Sequence, residues 1–168
     1  GGQLDFRISH RFGRLNSGAY EFFGLDQANI HFSLEYGITK WLMAGIGRGT
    51  YEKTYDGFAK FTLARQSTGQ EGFPFSASFL FTSAYRTVKA PPLEDDYLFN
   101  ERISYTMQFL AARRFNQNFS LQLTPTLVSR NLAGTTPDLL WATGIGGREK
   151  PTGRVSLNAE YYYCFNAD

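Results

Sequence analysis

Residues 154–165 read RVSLNAEYYYCF, and their alternation decides the fold class. Every second residue from Val155 to Phe165 is apolar or aromatic, whereas polar residues fill most of the positions between them. A period of two is typical of a β-strand with one apolar and one polar face. A strand of this length can cross a bilayer when it is tilted. Strands of soluble sandwiches are usually about half as long, so the pattern indicates a membrane-spanning strand.

The same alternation recurs along the whole chain and predicts nine strands. Their predicted ranges are 4–12, 28–38, 41–50, 58–63, 73–87, 102–111, 119–127, 139–148 and 154–165. In the third strand two assignments stay open, with either Leu42 and Ile46 or Trp41 and Met43 on the apolar face. Pro125 interrupts the seventh strand and must remove one ladder hydrogen bond or mark a bulge.

The predicted connections are alternately long and short, and aromatic residues gather near the strand ends. Both features are typical of antiparallel up-and-down transmembrane β-barrels. Alternation also fits a soluble β-barrel that binds an apolar ligand, but there the apolar face points inward. We therefore predict an all-β transmembrane barrel that forms a single domain over residues 1–168. Because nine strands end at the rim opposite to their start, we expect a larger even-stranded barrel, completed by residues beyond 168 or by another chain.

The composition excludes several other classes of protein. Charged residues make up 19% of the 168 residues, aromatic residues 17%, and the net charge is +2. Such a balance does not indicate nucleic-acid binding, and Cys164 as the single cysteine excludes an internal disulfide. Since the chain has no run of about 18 apolar residues, we predict no transmembrane helix. We expect no cofactor and no metal, and we interpret the acidic stretch 94–96 as a solvated loop rather than a calcium site.

The two faces of the strands carry separate predictions. Leucine and phenylalanine residues should be exposed towards lipid: Leu34, Phe61, Phe79, Phe109, Leu121 and Leu157. Polar residues should face the interior, among them Arg7, Glu35, Gln108 and Asn158. The candidate charge network of the lumen consists of Arg7, Arg11, His31, Glu35, Lys60, Arg154 and Glu160. Buried charges need partners, so this network either plugs a narrow barrel or, with its positive surplus, favours anions in a wide one.

Two further candidate sites come from the sequence. The stretch 48–57, RGTYEKTYDG, predicts an external loop in which Tyr51, Lys53, Tyr55 and Asp56 could bind a partner or a sugar. His31 lies near Ser33 and Glu35, as a membrane hydrolase would require. However, neighbours two apart on one strand are about 7 Å apart, so we interpret His31 as a structural residue and predict no catalysis.

Three stretches carry a family resemblance: FRISHRFGRLNSG (6–18), YEKTYDGF (51–58) and GRVSLNAEYYYCF (153–165). Together with residues 23–66 they resemble an uncharacterised family of Bacteroidetes outer-membrane β-barrel proteins. The resemblance implies the bacterial outer membrane as the location and its lipids as partners, and it brings no established activity. From the barrel fold we expect a structural or permeation role, porin-like or complex-anchoring, with other outer-membrane or periplasmic proteins as further partners.

Overall fold

The computed structural model describes residues 1–13, 18–69, 72–88, 102–130 and 138–166. Two short 3-10 segments, Ala19–Gly24 and Tyr51–Lys53, accompany nine strands. The strands are β1 (Leu4–Phe12), β2 (Ala28–Gly37), β3 (Leu42–Gly49), β4 (Thr54–Ala64), β5 (Ser76–Arg86), β6 (Ile103–Arg114), β7 (Phe119–Arg130), β8 (Asp138–Glu149) and β9 (Leu157–Cys164). Among the described residues, no helix is long and apolar enough to cross a membrane.

All nine strands form one sheet in which each strand pairs antiparallel with the next one in sequence. This order confirms the predicted all-β, antiparallel up-and-down architecture. At one end of the strands, which we call the turn rim, β2, β4, β6 and β8 end and β3, β5, β7 and β9 begin. At the other end, which we call the loop rim, β1, β3, β5 and β7 end and β2, β4, β6 and β8 begin. The alternation of connection lengths is imperfect, because 50–53 is short and 65–75 is long.

The register keeps the two faces of the sheet separate. Leu34 on β2 pairs with Phe6 and Ile46, whereas its neighbour Ser33 pairs with Arg7 and Gly47. Since side chains alternate along each strand, one apolar face and one polar face run across the sheet. The register also settles the third strand, because Ile46 and Leu42 lie on the apolar face.

The apolar face does not pack into a core. Among the described residues the one buried hydrophobic residue is Ala77, while Ser33, Glu35, Thr124 and Thr126 are buried. Leu34, Phe109 and Leu157 are exposed as predicted. Phe61, Phe79 and Leu121 are half-buried; Phe61 has ring neighbours on its own face, with Trp41 at 6.3 Å and Phe79 at 6.5 Å. Exposed apolar and buried polar side chains reverse the arrangement of a soluble barrel.

The prediction that polar side chains face the interior of the barrel holds in part. Glu35 is buried and Gln108 is half-buried, with its Nε2 donating to Thr126 Oγ1 at 3.0 Å. Arg7 and Asn158 lie on the polar face but remain exposed. They belong to the two outermost strands, where one flank has no neighbour in the described sheet.

Strands β1 and β9 are the edges of the described sheet and do not pair with each other. The described strands therefore form an open sheet, in which each edge presents unpaired backbone groups. The larger, even-stranded barrel remains a prediction.

Three local features of the strands differ from expectation or refine it. Strand β9 begins at Leu157 and not at residue 154, because Thr152 Oγ1 accepts the N–H groups of Arg154 and Val155 in a turn. Strand β4 already begins at Thr54, so part of the predicted loop 51–56 is strand. At Pro125, the pairing of β6 with β7 stops at Gln108–Thr126 and resumes at Ala111–Leu123. Ladder bonds are therefore lost there without an inserted residue.

Candidate functional site on the polar face

Two strands bring one ion pair of the candidate network together. Arg7 Nη2 lies 3.3 Å from Glu35 Oε2 and 3.4 Å from Asp5 Oδ2. The hydroxyl of Ser33 donates to Glu35 Oε1 at 3.1 Å. Glu35 is only 8% exposed, so a charged donor and a neutral donor satisfy a buried carboxylate.

A second pair joins β2 to β4 across the strand between them. His31 Nε2 lies 2.6 Å from Asp56 Oδ1. The intervening residue is Gly47, where a Cβ atom would lie 2.6 Å from His31 Nε2 and 3.0 Å from Asp56 Oδ2. The bond therefore requires glycine at this position, because any side chain would occupy the space where the imidazole and the carboxylate meet.

Asp56 was assigned to the predicted external loop and was missed as the partner of His31. The signal that could have found it is the alternation Gly45-Gly47-Gly49 in β3. A strand with glycine at every second position has a bare face. Side chains of the strands on both sides can then meet above it.

The structure does not bring the four residues of the predicted external-loop site together on a single surface. Tyr55 and Asp56 are neighbours within β4 and so lie on opposite faces. Tyr55 is on the apolar face, with the guanidinium carbon of Arg48 5.4 Å from its ring centroid. Tyr51 and Lys53 belong to a 3-10 segment in which Lys53 has a left-handed φ of 47°.

The 3-10 segment Tyr51–Lys53 is tied to the end of β5 and to the residue that follows it. The Thr87 hydroxyl donates to the Lys53 carbonyl at 2.6 Å, and Glu52 Oε2 lies 3.7 Å from Arg86 Nη1. The Glu52 carboxylate and the backbone carbonyl of Lys53 thus serve local structure.

The remaining members of the candidate network are dispersed. Lys60 is half-buried between Met43 and Leu80 in the register, and Arg11 is exposed at the loop-rim end of β1. Arg154 lies in the bend before β9, and Glu160 is exposed opposite Gly146. In the described part of the chain none of these four charged residues has an ion-pair partner. Among the described residues, the members of the candidate network therefore come together only in two separate pairs, Arg7–Glu35 and His31–Asp56. The acidic stretch 94–96 lies outside the described residues.

Two aromatic rings lie close over glycines on the polar face. A Cβ atom on Gly45 would lie 2.8 Å from Phe58 Cζ, and one on Gly144 would lie 2.7 Å from Tyr162 Cζ. Each glycine is the register partner of its aromatic residue on the next strand. Covering of a strand glycine by a cross-strand ring stabilises the register and keeps these bulky side chains close to the sheet.

Within the described ranges, no three His, Cys, Asp or Glu residues come close enough to hold a metal ion.

Comparison with known proteins identifies the family of the chain. A family model described as a membrane-bound beta barrel domain (DUF5777) matches residues 1–168. The chain belongs to the DUF5777 family. No curated protein and no solved structure matches it.

Membership of the DUF5777 family gives the two faces their environments. In a membrane-bound barrel the apolar face contacts the lipid bilayer and the polar face lines the lumen. The described strands β4 to β8 have 11 or 12 residues, which is the length needed to span a bilayer when tilted. The resemblance to a membrane β-barrel family is therefore confirmed, and the bacterial phylum remains a prediction.

Proposed function

We propose that this DUF5777 protein forms a pore in the bacterial outer membrane and catalyses no reaction. Larger side chains such as Met43, Lys60 and Leu80 also lie on the lumen face, but the observation that carries the proposal is its many small side chains. They are glycine, alanine, serine or threonine at Ser33, Gly45, Gly47, Ser78, Thr82, Ala84, Ser104, Thr106, Thr124, Thr126, Ala142, Gly144 and Gly146. Two of the larger lumen residues, Phe58 and Tyr162, lie against glycines.

The width of the barrel supports the same proposal. A barrel of about eight strands is just wide enough for its own side chains to fill. Here nine strands lie in sequence and β1 does not pair with β9, so we propose that further strands complete the barrel. A wider barrel lined by small side chains leaves space for water and solutes.

The outer membrane is the proposed location because bacterial β-barrels of this up-and-down design are outer-membrane proteins. Aromatic side chains at both rims support a transmembrane position, with Trp41 at the turn rim and Trp141 towards the loop rim, each 55% exposed. Such rings are typical of the interface between lipid and water.

The pore is tested by the ion conductance of the full protein in planar lipid bilayers. Thr82 faces the lumen and its neighbour Ser83 faces lipid, so Thr82→Trp and Ser83→Trp form a matched pair. We expect conductance from the parent, a lower conductance in Thr82→Trp, and no change in Ser83→Trp. A correctly folded protein without conductance above that of the bare bilayer would contradict the proposal.

A hydrolase is the second candidate, and one observation favours it. Ser9 on β1 pairs directly opposite His31, whose imidazole contacts Asp56. A catalytic histidine must reach its nucleophile by a hydrogen bond, and no Ser9–His31 bond is present among the described residues. Asp56 also contacts Nε2 of His31, which is the nitrogen that faces serine in the Ser-His-Asp arrangement of serine proteases.

Labelling with a fluorophosphonate probe separates the two candidates. We expect no labelling of Ser9 and a nearly unchanged conductance in His31→Ala. Labelling of Ser9 that disappears in His31→Ala, together with hydrolysis of a lipid ester, would show that the protein is an enzyme.

A further inference from the structure

Three cations gather on the lumen face at the turn rim. Arg114 ends β6, Arg148 lies near the end of β8, and Lys150 follows it. Ser120 is the register partner of both arginines, so a single small residue separates them across the sheet. All three cations line one cleft of about 130 Å³, together with residues 116–120 of the β6–β7 turn and β7.

The cleft is held in shape by hydrogen bonds to uncharged groups. Arg114 donates from Nε to the Asn116 carbonyl at 3.0 Å and from Nη2 to the Gln117 carbonyl at 3.2 Å. The backbone of Arg114 is fixed by the Gln66 side chain, which both accepts and donates at 2.8 Å. A guanidinium has more N–H donors than these two bonds use, so Arg114 is positioned and still able to bind a ligand.

The other two cations are placed in a similar way. Arg148 Nε donates to the Ser156 hydroxyl at 3.0 Å, and the backbone N–H of Lys150 donates to the Asn118 carbonyl at 3.0 Å. The terminal nitrogens of Arg148 and the ammonium of Lys150 have no partner among the described groups.

No carboxylate of the described residues forms an ion pair with this cluster, although Glu160 lines a neighbouring pocket together with Arg148. In the described part of the chain, none of the three cations forms an ion pair. Glu149 lies on the apolar face, paired with Phe119 and Leu157. Neighbouring strands are about 4.8 Å apart, so the two arginine backbones lie roughly 10 Å apart and their positive potentials overlap.

We propose that this cleft binds a phosphate group. Guanidinium groups recognise phosphate through parallel hydrogen bonds, and an ammonium adds a point charge. The size of the cleft suits a single tetrahedral oxyanion with its water. Because Arg114, Ser120 and Arg148 lie on the lumen face, a soluble phosphate compound is the expected source. This inference rests on the proposed pore, because a phosphate site at the turn rim would select the solutes that enter the lumen there.

The test is a calorimetric titration of the full protein in detergent with inorganic phosphate, in chloride buffer. Each lost cation should weaken binding about tenfold, which corresponds to about 1.4 kcal/mol. We therefore expect saturable binding that Arg148→Gln and Lys150→Gln each weaken to that extent. The matched control is Lys60→Gln, which removes a lumen cation away from the cleft and should leave the affinity unchanged. Absence of saturable binding, or an equal loss in Lys60→Gln, would overturn the site.

A second arm identifies the source of the phosphate. Phosphatidylglycerol in mixed micelles is added as a competitor at the same phosphorus concentration. Displacement of inorganic phosphate supports the site with a lipid headgroup as its ligand, and lack of displacement supports it with a soluble compound. The result is also independent of conductance: binding without conductance contradicts the pore alone, and conductance without saturable binding contradicts the site alone.

Discussion

Replacing Gly144 with alanine is expected to displace the Tyr162 ring from the wall of the lumen. Gly144 is buried, and its register partner Tyr162 lies across it. A new Cβ atom would lie 2.7 Å from Cζ and 2.9 Å from Cδ1 of that ring. Such distances are below van der Waals contact, and a side chain moves more easily than the backbone of a paired strand. The ring should therefore swing into the lumen.

The size of the effect follows from the contact that is lost. If the ring gives up roughly 50 Å² of contact, about a quarter of what an aromatic side chain buries, the loss is about 1 kcal/mol. Strain from overpacking brings the expected loss in the free energy of unfolding to about 1–3 kcal/mol. Alanine in place of glycine in a strand gains about 0.5–1 kcal/mol in the opposite direction.

Gly146→Ala is the matched control on the same strand and the same face. There a new Cβ atom would meet its nearest neighbours, Ala159 O and Glu160 Cβ, at 3.9 Å. Since the backbone gain is common to both variants, Gly144→Ala should be less stable than Gly146→Ala by about 1–3 kcal/mol.

Urea unfolding in lipid vesicles, followed by tryptophan fluorescence, measures this difference. In a Tyr162→Ala background the clash is gone, so Gly144→Ala should no longer be destabilising. Equal unfolding free energies for Gly144→Ala and Gly146→Ala would refute the reasoning.

Two further predictions concern the ion pair and the rims. Arg7→Ala is expected to lower the free energy of unfolding by about 1 kcal/mol, since Glu35 stays buried with Ser33 as its remaining side-chain donor, and the exposure of Arg7 limits the loss. Urea unfolding measures this loss. A larger loss in the free energy of unfolding for Glu35→Gln than for Arg7→Ala would contradict the prediction. Trp41 and Trp141 should be quenched more by lipids brominated near the headgroup than at the chain ends. Equal quenching at both depths would contradict their rim position.

The sequence predicted the strands and their faces well because the alternation of side chains is local to each strand. The range of β1 agreed completely, and Leu34 and Glu35 lie on the predicted faces. The polar contacts were less predictable because they depend on the register between strands. His31 was considered with residues of its own strand, whereas its partner Asp56 lies two strands away. Arg154 was lost from the lumen face because a threonine turn shortens β9.

The neighbour-to-neighbour order of the sheet has a consequence for how the barrel is built. Every pairing among β1 to β9 joins strands that follow each other in sequence, so each closes only a short loop and carries a small entropic cost. Assembly can therefore advance hairpin by hairpin, at a rate typical of low contact order. The seam of the proposed complete barrel is the exception, because β1 would pair there with a strand that does not follow it in sequence. Its closure should be the slowest step of assembly and the step most sensitive to the lipid around it.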